Sequence, residues 1–312
     1  MSFRIGVYGG GPWGMALARA ARRAGCDVTL LSRRHQDSDL GGIEVTEDVA
    51  QLARARLILL AVPSPKVRGI ARRLGDVLDG SHMVVHGVRG LSGDDLRTIS
   101  EVIRQETPAR QLGALGGPVQ AVELNEGRAS AMVVASEFAR VQQTVTMALQ
   151  SSWLQIHTSD DLRGLEWASA LVGCLSIGVG YAQKRADVSP GLLAALISNA
   201  AAEAATIASQ AGASPTTFYG LGGYGDLLAS MALEDRPEVI LGRALADGKS
   251  LQDAQTEARL RVEAIDLVPR VARYANSHGL RVPIFEAIGR ILDGSSKPED
   301  VLSRLLAPAS RS

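Results

Sequence analysis

The sequence predicts an α/β fold: a doubly wound parallel sheet over residues 1–159, followed by an all-helical second domain over residues 160–312. Three observations carry that expectation. Short, nearly continuous apolar runs alternate with helical stretches from Phe3 to His157. A glycine-rich turn directly follows the first run. Beyond Ser159 the strand pattern stops, and only segments with helical apolar spacing remain.

Strands are expected at Phe3–Tyr8, Asp27–Leu31, Leu57–Val62, Met83–His86, Leu112–Leu115, Met132–Ala135 and Leu154–His157. They are too uniformly apolar to keep one face in water, which points to a sheet covered on both sides. Helical text over Pro12–Ala24, Thr46–Arg54, Pro65–Leu78, Gly93–Gln105 and Glu137–Leu149 supplies the cover. In the second domain, helical segments are expected at Leu162–Tyr181, Leu192–Gln210, Tyr224–Ala232, Val239–Asp247, Ser250–Glu257, Val262–His278, Ile284–Asp293 and Pro298–Leu306. Ser189-Pro190-Gly191, Ala213-Ser214-Pro215 and the Gly220–Gly225 cluster punctuate them. Ala307–Ser312 reads as a frayed tail.

Composition narrows the function classes. Hydrophobic residues make up 46% of the 312 and charged residues 21%, which argues against general disorder. Lys+Arg and Asp+Glu both total 33, so there is no electrostatic case for nucleic acid or an anionic membrane as partner. The N-terminus runs straight into a strand, and no uninterrupted apolar stretch reaches membrane-spanning length, so a soluble cytoplasmic protein is expected. Cys26 and Cys174 are too few for a disulfide framework and lack metal-ligand spacing, so they read as buried free thiols and no metal site is expected.

The turn after the first strand reads Gly9-Gly10-Gly11-Pro12-Trp13-Gly14, matching G-x-G-x-x-G at Gly9, Gly11 and Gly14. Gly9 permits the tight turn, Gly11 lets backbone approach a pyrophosphate, and Gly14 lets the helix pack close to the strand. The helix that follows aims its N-terminal N–H groups at the phosphates. A strand before the turn and an Ala-rich helix after it make this a Rossmann-type dinucleotide site. The second strand ends in Leu31-Ser32-Arg33-Arg34 rather than in an acid. A hydroxyl and two guanidiniums suit a 2′-phosphate, so NADP is expected over NAD, although a solvated loop explains the same arginines.

These segments resemble the bacterial NAD(P)-dependent glycerol-3-phosphate dehydrogenases over almost the whole chain. Gly9–Ala18 (GGGPWGMALA) is similar to the family's G-x-G-x-W-G-x-A-L-A, and Ala61–Arg68 (AVPSPKVR) to A-V-P-S-x-x-x-R. Gly116–Ala129 (GGPVQAVELNEGRA) resembles the G-P-S-F-A-x-E segment, and Gly220–Leu227 (GLGGYGDL) resembles G-x-A-G-x-G-D-L. Val262-Glu263 and Val282-Pro283-Ile284 look like its later V-E pair and x-P-I signature. The resemblance implies reduction of dihydroxyacetone phosphate to glycerol 3-phosphate, a small-molecule substrate and a homodimer. It also adds Pro12, Trp13, Pro63 and Glu263 to the expected cofactor contacts.

The catalytic half departs from that pattern. The family's D-x-x-G-x-E-L-G-G-A-L segment ends in Lys-Asn, but here Asp161–Leu171 is followed by Val172-Gly173. The lysine's implied task is proton transfer and steadying of oxyanion charge, neither of which valine can perform. Only Lys66, Lys184, Lys249 and Lys297 are lysines, yet a drift from lysine to arginine would have left arginine at 172. The family's second lysine is Arg89, its helix arginine aligns with Asn199, and its serine and aromatic have become Val119 and Gln120. The expected substrate-phosphate pair R-N is replaced by Glu234-Asp235-Arg236-Pro237-Glu238.

Asp226, Arg89, Ser230 and His86 are the candidate catalytic residues. The resemblance makes Asp226 the lysine's partner, though a helix N-cap after a glycine turn reads equally well. Ser230 stands one turn later, in place of a threonine. His86 lies at the C-terminal end of a parallel strand, where open sheets place ligands, but a packing histidine fits there too. Glu166 and Glu203 match family acids, with a structural ion-pair reading beside the site reading, and His157 lies at the domain junction. Three functions stay open: an oxidoreductase acting on dihydroxyacetone phosphate or another carbonyl compound, a catalytically silent dinucleotide-binding or sensor protein, and an opine- or imine-type dehydrogenase.

Overall fold

A computed structural model of the chain describes residues 3–34 and 40–295. Two compact units emerge, Met1–Glu166 and Trp167–Ser312. The first holds β1 (Arg4–Tyr8), α1 (Pro12–Arg23), β2 (Asp27–Leu31), β3 (Glu44–Thr46), α2 (Val49–Leu52) and β4 (Leu57–Leu60). It continues with α3 (Val67–Gly75), β5 (Met83–His86), α4 (Ile99–Glu106), β6 (Gln111–Gly116), α5 (Ala121–Glu126), β7 (Ser130–Ala135), α6 (Ala139–Leu149) and β8 (Leu154–Ser159).

The sheet order is β3-β2-β1-β4-β5-β6-β7-β8. The chain moves outward from β1 through β2 to β3, then returns to place β4 on the other side of β1. That reversal creates the crevice at the C-terminal strand ends where doubly wound sheets take ligands. All four residues of β4 and of β5 are buried, which explains their unbroken apolar text. Ile5, Val7, Leu17, Leu30, Leu57 and Leu59 belong to one core cluster between helices and sheet, and each such side chain contributes ~1.5–3 kcal/mol by leaving water.

Every strand the sequence predicts is present, with four differences around them. The helix expected over Gly93–Gln105 starts only at Ile99, because Thr98 caps it and Ser92 and Arg97 bridge before it. The edge strand β3 has 3 residues, too short for any alternation to register. Helix α5 is not among the helices the sequence predicts; Gln120 and Glu123 form its capping box. β7 pairs antiparallel with β6, so β7 and β8 run against the other strands. The helix between β6 and β7 has only 6 residues, spanning ~9 Å, whereas a strand of 6 residues spans ~20 Å. It is too short to carry the chain back for a parallel return.

The second unit is helical, as the sequence predicts. Its elements are α7 (Leu162–Lys184, which begins in the first unit), α8 (Pro190–Gln210), α9 (Asp226–Ala232), α10 (Pro237–Ala246), α11 (Leu251–Glu257), α12 (Ala264–Ser277) and α13 (Pro283–Asp293). A five-residue π-helical turn, Leu221–Gly225, leads into α9. Side chains of Ser189 and Ser250 accept backbone N–H bonds at the starts of α8 and α11. α7 and α8 are long and apolar enough to cross a membrane by length and composition alone; the most apolar window of α7 is 94% buried within the protein and that of α8 39%. In α7, Trp167, Leu171, Val172 and Leu175 are buried, and the Trp167 ring packs on Tyr274 of α12 with centroids 5.4 Å apart. The expected helix Pro298–Leu306 and the tail Ala307–Ser312 lie outside the described residues.

Candidate active site

In the first unit the glycine loop leaves β1 at Gly9, whose N–H donates to the Leu31 carbonyl at 3.1 Å and whose φ is +122°. A side chain here would stand 2.2 Å from the Ala61 carbonyl oxygen, and one on Gly14 only 1.8 Å from that of Gly9. The protein's own packing therefore demands both glycines. Gly11 differs: a Cβ there would meet nothing within 4 Å. Gly11 is the extended N-cap of α1, Pro12 follows it, and no side chain caps the helix. A 12-residue helix thus presents its N-terminal dipole and backbone N–H groups to an open approach. Trp13 is half-buried; its Nε1 has no hydrogen-bond partner among the described residues and lies close over Gly87.

The other expected cofactor positions of this unit fall on the same strand ends. Ser32 follows β2, donates its N–H to the Thr46 carbonyl and accepts the Arg34 N–H on its hydroxyl at 3.1 Å. Arg33 and Arg34 are exposed. Pro63 is exposed just past β4. The loop beyond β5 carries half-buried Arg89.

His86 is placed differently from a free acid or base. It is 1% exposed, its Nε2 lies 2.9 Å from Glu166 Oε1, and its Nδ1 accepts the Val88 N–H at 3.3 Å. That pairing puts the proton on Nε2 and leaves neither ring nitrogen for a substrate, so the packing histidine is the alternative that fits. Glu166 also accepts from Ser100, through the N–H at 2.8 Å and the hydroxyl at 2.6 Å.

In the second unit Asp226 opens α9 after the π-helical turn and is 1% exposed. Arg236, also buried, reaches its Oδ1 at 3.0 Å and its main-chain carbonyl at 3.3 Å. The same guanidinium donates to Ser230 and, through Nε at 3.3 Å, to Glu238. Ser230 lies 3.0 Å from the Ser176 hydroxyl, which donates to the Val172 carbonyl at 2.7 Å. A continuous polar chain thus runs from Asp226 to the position where a lysine was expected. Val172 itself is fully buried, and Asn199 is exposed on α8. Burial, with Glu238 nearby, pushes the Cys174 thiol far above its usual range, so it stays a protonated thiol.

Two acids sit at helix starts. Glu263, half-buried, is the N-cap residue of α12. Glu203 accepts the N–H groups of Ile284 and Phe285 at 3.1 and 2.8 Å, capping α13 from α8. Burial pushes its carboxyl up to about 7 against the pull of those two donors. Sequence reasoning missed Ser100 and Ser176, because a serine in an apolar helical run carries no pattern of its own. It also undervalued Arg236, which is held by its neighbour Glu238 and by the distant Asp226.

Comparison with known proteins matches both halves of the chain. The N-terminus of NAD-dependent glycerol-3-phosphate dehydrogenase matches residues 4–142 and its C-terminus residues 161–303. The chain is 30% identical to glycerol-3-phosphate dehydrogenase [NAD(P)+] 2 of Salinibacter ruber over 100% of its own length and 96% of the relative. It is 29% identical to the Parvibaculum lavamentivorans glycerol-3-phosphate dehydrogenase [NAD(P)+], over 99% of this chain and 98% of that one. In fold it is similar to the Coxiella burnetii glycerol-3-phosphate dehydrogenase, with a TM-score of 0.90, 23% identity, and coverage of 98% and 99% of the two chains. The two matched segments and the full-length relatives agree, and the chain belongs to the NAD-dependent glycerol-3-phosphate dehydrogenase family.

Proposed function

We propose that the chain is an NAD(P)-dependent oxidoreductase that interconverts a ketone and its alcohol, with dihydroxyacetone phosphate and glycerol 3-phosphate as the pair expected from its relatives. The observation that carries the cofactor reading is Gly11. The protein's own atoms account for Gly9 and Gly14, whereas the open space at Gly11 suits a pyrophosphate. Gly9, Gly11, Pro12, Trp13 and Gly14 would cradle the phosphates, and Pro63 and Glu263 would border the remainder. Exposed Arg33 and Arg34 beside Ser32 favour NADP over NAD. The bound cofactor supplies the hydride. In the first unit Arg89 would hold the substrate's negative charge; in the second, Asp226 and Ser230 are the candidate catalytic groups.

We further place it in the cytoplasm as a soluble homodimer with a small-molecule substrate, and with neither nucleic acid nor membrane as partner. Its equal totals of 33 basic and 33 acidic residues support the exclusion of nucleic acid and an anionic membrane as partners.

A second reading, a catalytically silent dinucleotide-binding or sensor protein, is favoured by one observation. The Asp226 carboxylate is already bonded to Arg236, and the residue at 172 offers no proton. Purified protein incubated with NADPH or NADH and a panel of ketones, keto acids and imines separates the readings. Falling reduced-nicotinamide absorbance with dihydroxyacetone phosphate supports the first, and turnover of imines alone would indicate an opine- or imine-type enzyme. Calorimetric binding of NADPH with no turnover of any compound would leave the silent reading. The double substitution Val172→Lys with Gly173→Asn should raise activity on dihydroxyacetone phosphate if the rest of the pocket is intact.

A further inference from the structure

The loop that carries Arg89 leaves the sheet at His86 and ends at Thr98, where α4 starts. One carboxylate holds both ends. Glu166 Oε1 accepts from His86 Nε2 at the loop's entry and from the Ser100 N–H at its exit, at 2.9 and 2.8 Å. Its Oε2 accepts from the Ser100 hydroxyl at 2.6 Å. His86, Ser100 and Glu166 are 1%, 6% and 2% exposed, so water does not compete for these bonds.

Further contacts stiffen the same loop. His86 Nδ1 takes the Val88 N–H, one residue before Arg89. Thr98 and Glu101 form a capping box at the exit, and Arg163 pairs with Glu101. Between the ends, Ser92 and Arg97 bridge, and Leu96 holds a left-handed φ of 52°. A leucine keeps that conformation only where its surroundings impose it. A buried carboxylate is a costly way to fill space, since an apolar residue of like size packs more cheaply. Its three converging donors make sense as a device that fixes geometry.

We propose that Glu166 is a positioning residue, a buried clasp that closes the loop at both ends and so holds Arg89 at the C-terminal edge of the sheet. The inference rests on reading Arg89 as the substrate-facing cation. Glu166 acts through the loop and touches neither substrate nor cofactor.

The test compares the full-length wild type with Glu166→Gln and the milder Ser100→Ala. Amide hydrogen exchange is followed across residues 87–98 and across the glycine loop, together with NADPH affinity and the KM and kcat for dihydroxyacetone phosphate. In Glu166→Gln, exchange across 87–98 should rise roughly tenfold or more while the glycine loop and NADPH affinity stay within about twofold. KM should rise about tenfold with a smaller change in kcat, as expected when a binding group is displaced. A folded Glu166→Gln protein whose 87–98 exchange equals wild type overturns the proposal. So does one whose glycine loop loosens equally, because that is the signature of simple core filling. Should Glu166→Gln fail to fold, Ser100→Ala decides: a smaller rise confined to 87–98 supports the clasp, and no rise overturns it. A wild type that oxidises no NADPH removes the proposed function, while the exchange pattern still judges the clasp.

Discussion

Arg236 Nη1 stands 3.0 Å from Asp226 Oδ1, with the two side chains only 3% and 1% exposed. The guanidinium also serves Ser230 and Glu238, so this one cation faces two carboxylates. Removing one partner of such a pair strands a charge in a low-dielectric interior. Arg236→Met should cost about 3–5 kcal/mol in urea denaturation. Adding Asp226→Asn should recover a large part of that loss, because the more deeply buried of the two carboxylates left without Arg236 goes with it. Equal destabilisation in the single and double variants would mean that the pair's charge is not what matters.

The centre of the sheet was legible because strands such as β4 and β5 are buried on both faces and cannot hide an apolar run. The reversed direction of β7 was not legible, since strand text carries no polarity and the deciding feature is the brevity of α5. Gly9, Gly11 and Gly14 announced themselves by spacing, and their separate tasks follow from what surrounds each one. The polar networks stayed hidden. His86 meets Glu166 across 80 positions, and Ser176 meets Ser230 across 54, separations that no local pattern records. His86 looked like a candidate base for a good reason, its place at a strand end. Only the partners on both ring nitrogens decide against that role.

Two alanine substitutions in the glycine loop should behave in opposite ways. Gly14→Ala puts a methyl 1.8 Å from the Gly9 carbonyl oxygen, so the fold must shift and the melting temperature should drop without any ligand. Gly11→Ala meets no protein atom within 4 Å, and should change apo stability by less than about 1 kcal/mol. Its thermal stabilisation by NADPH should nevertheless vanish. Undiminished NADPH stabilisation in Gly11→Ala would move the phosphate site away from this loop.

Arg33 and Arg34 are exposed at the end of β2, and the proposed function assigns them to a 2′-phosphate. The pair Arg33→Ala with Arg34→Ala should therefore weaken NADPH binding by ~10–100-fold, the value of one or two charge-assisted bonds. NADH binding should stay nearly constant, as should the melting temperature. Calorimetric titration with both cofactors checks this, and an equal loss for the two would remove the arginines from cofactor choice.

Glu203 gives the stability a pH dependence whose sign is fixed by its surroundings. Burial, with Glu286 nearby, raises its carboxyl from 4.5 to about 7, even though the Ile284 and Phe285 N–H groups favour the charged form. A carboxyl with a raised folded value holds its proton more tightly in the folded chain than in the unfolded one. Its stabilising contribution is therefore complete below pH 4.5 and is lost as pH rises through about 7. At ~1.4 kcal/mol per pH unit the whole span amounts to roughly 3 kcal/mol. Glu203→Gln keeps a carbonyl oxygen for the α13 N-terminus but cannot ionise. Its urea midpoint should track wild type below pH 4.5, exceed it increasingly between there and about pH 7, and keep a steady lead above that. Parallel profiles across that range would mean that the helix N-terminus stabilises the carboxylate as strongly as burial opposes it.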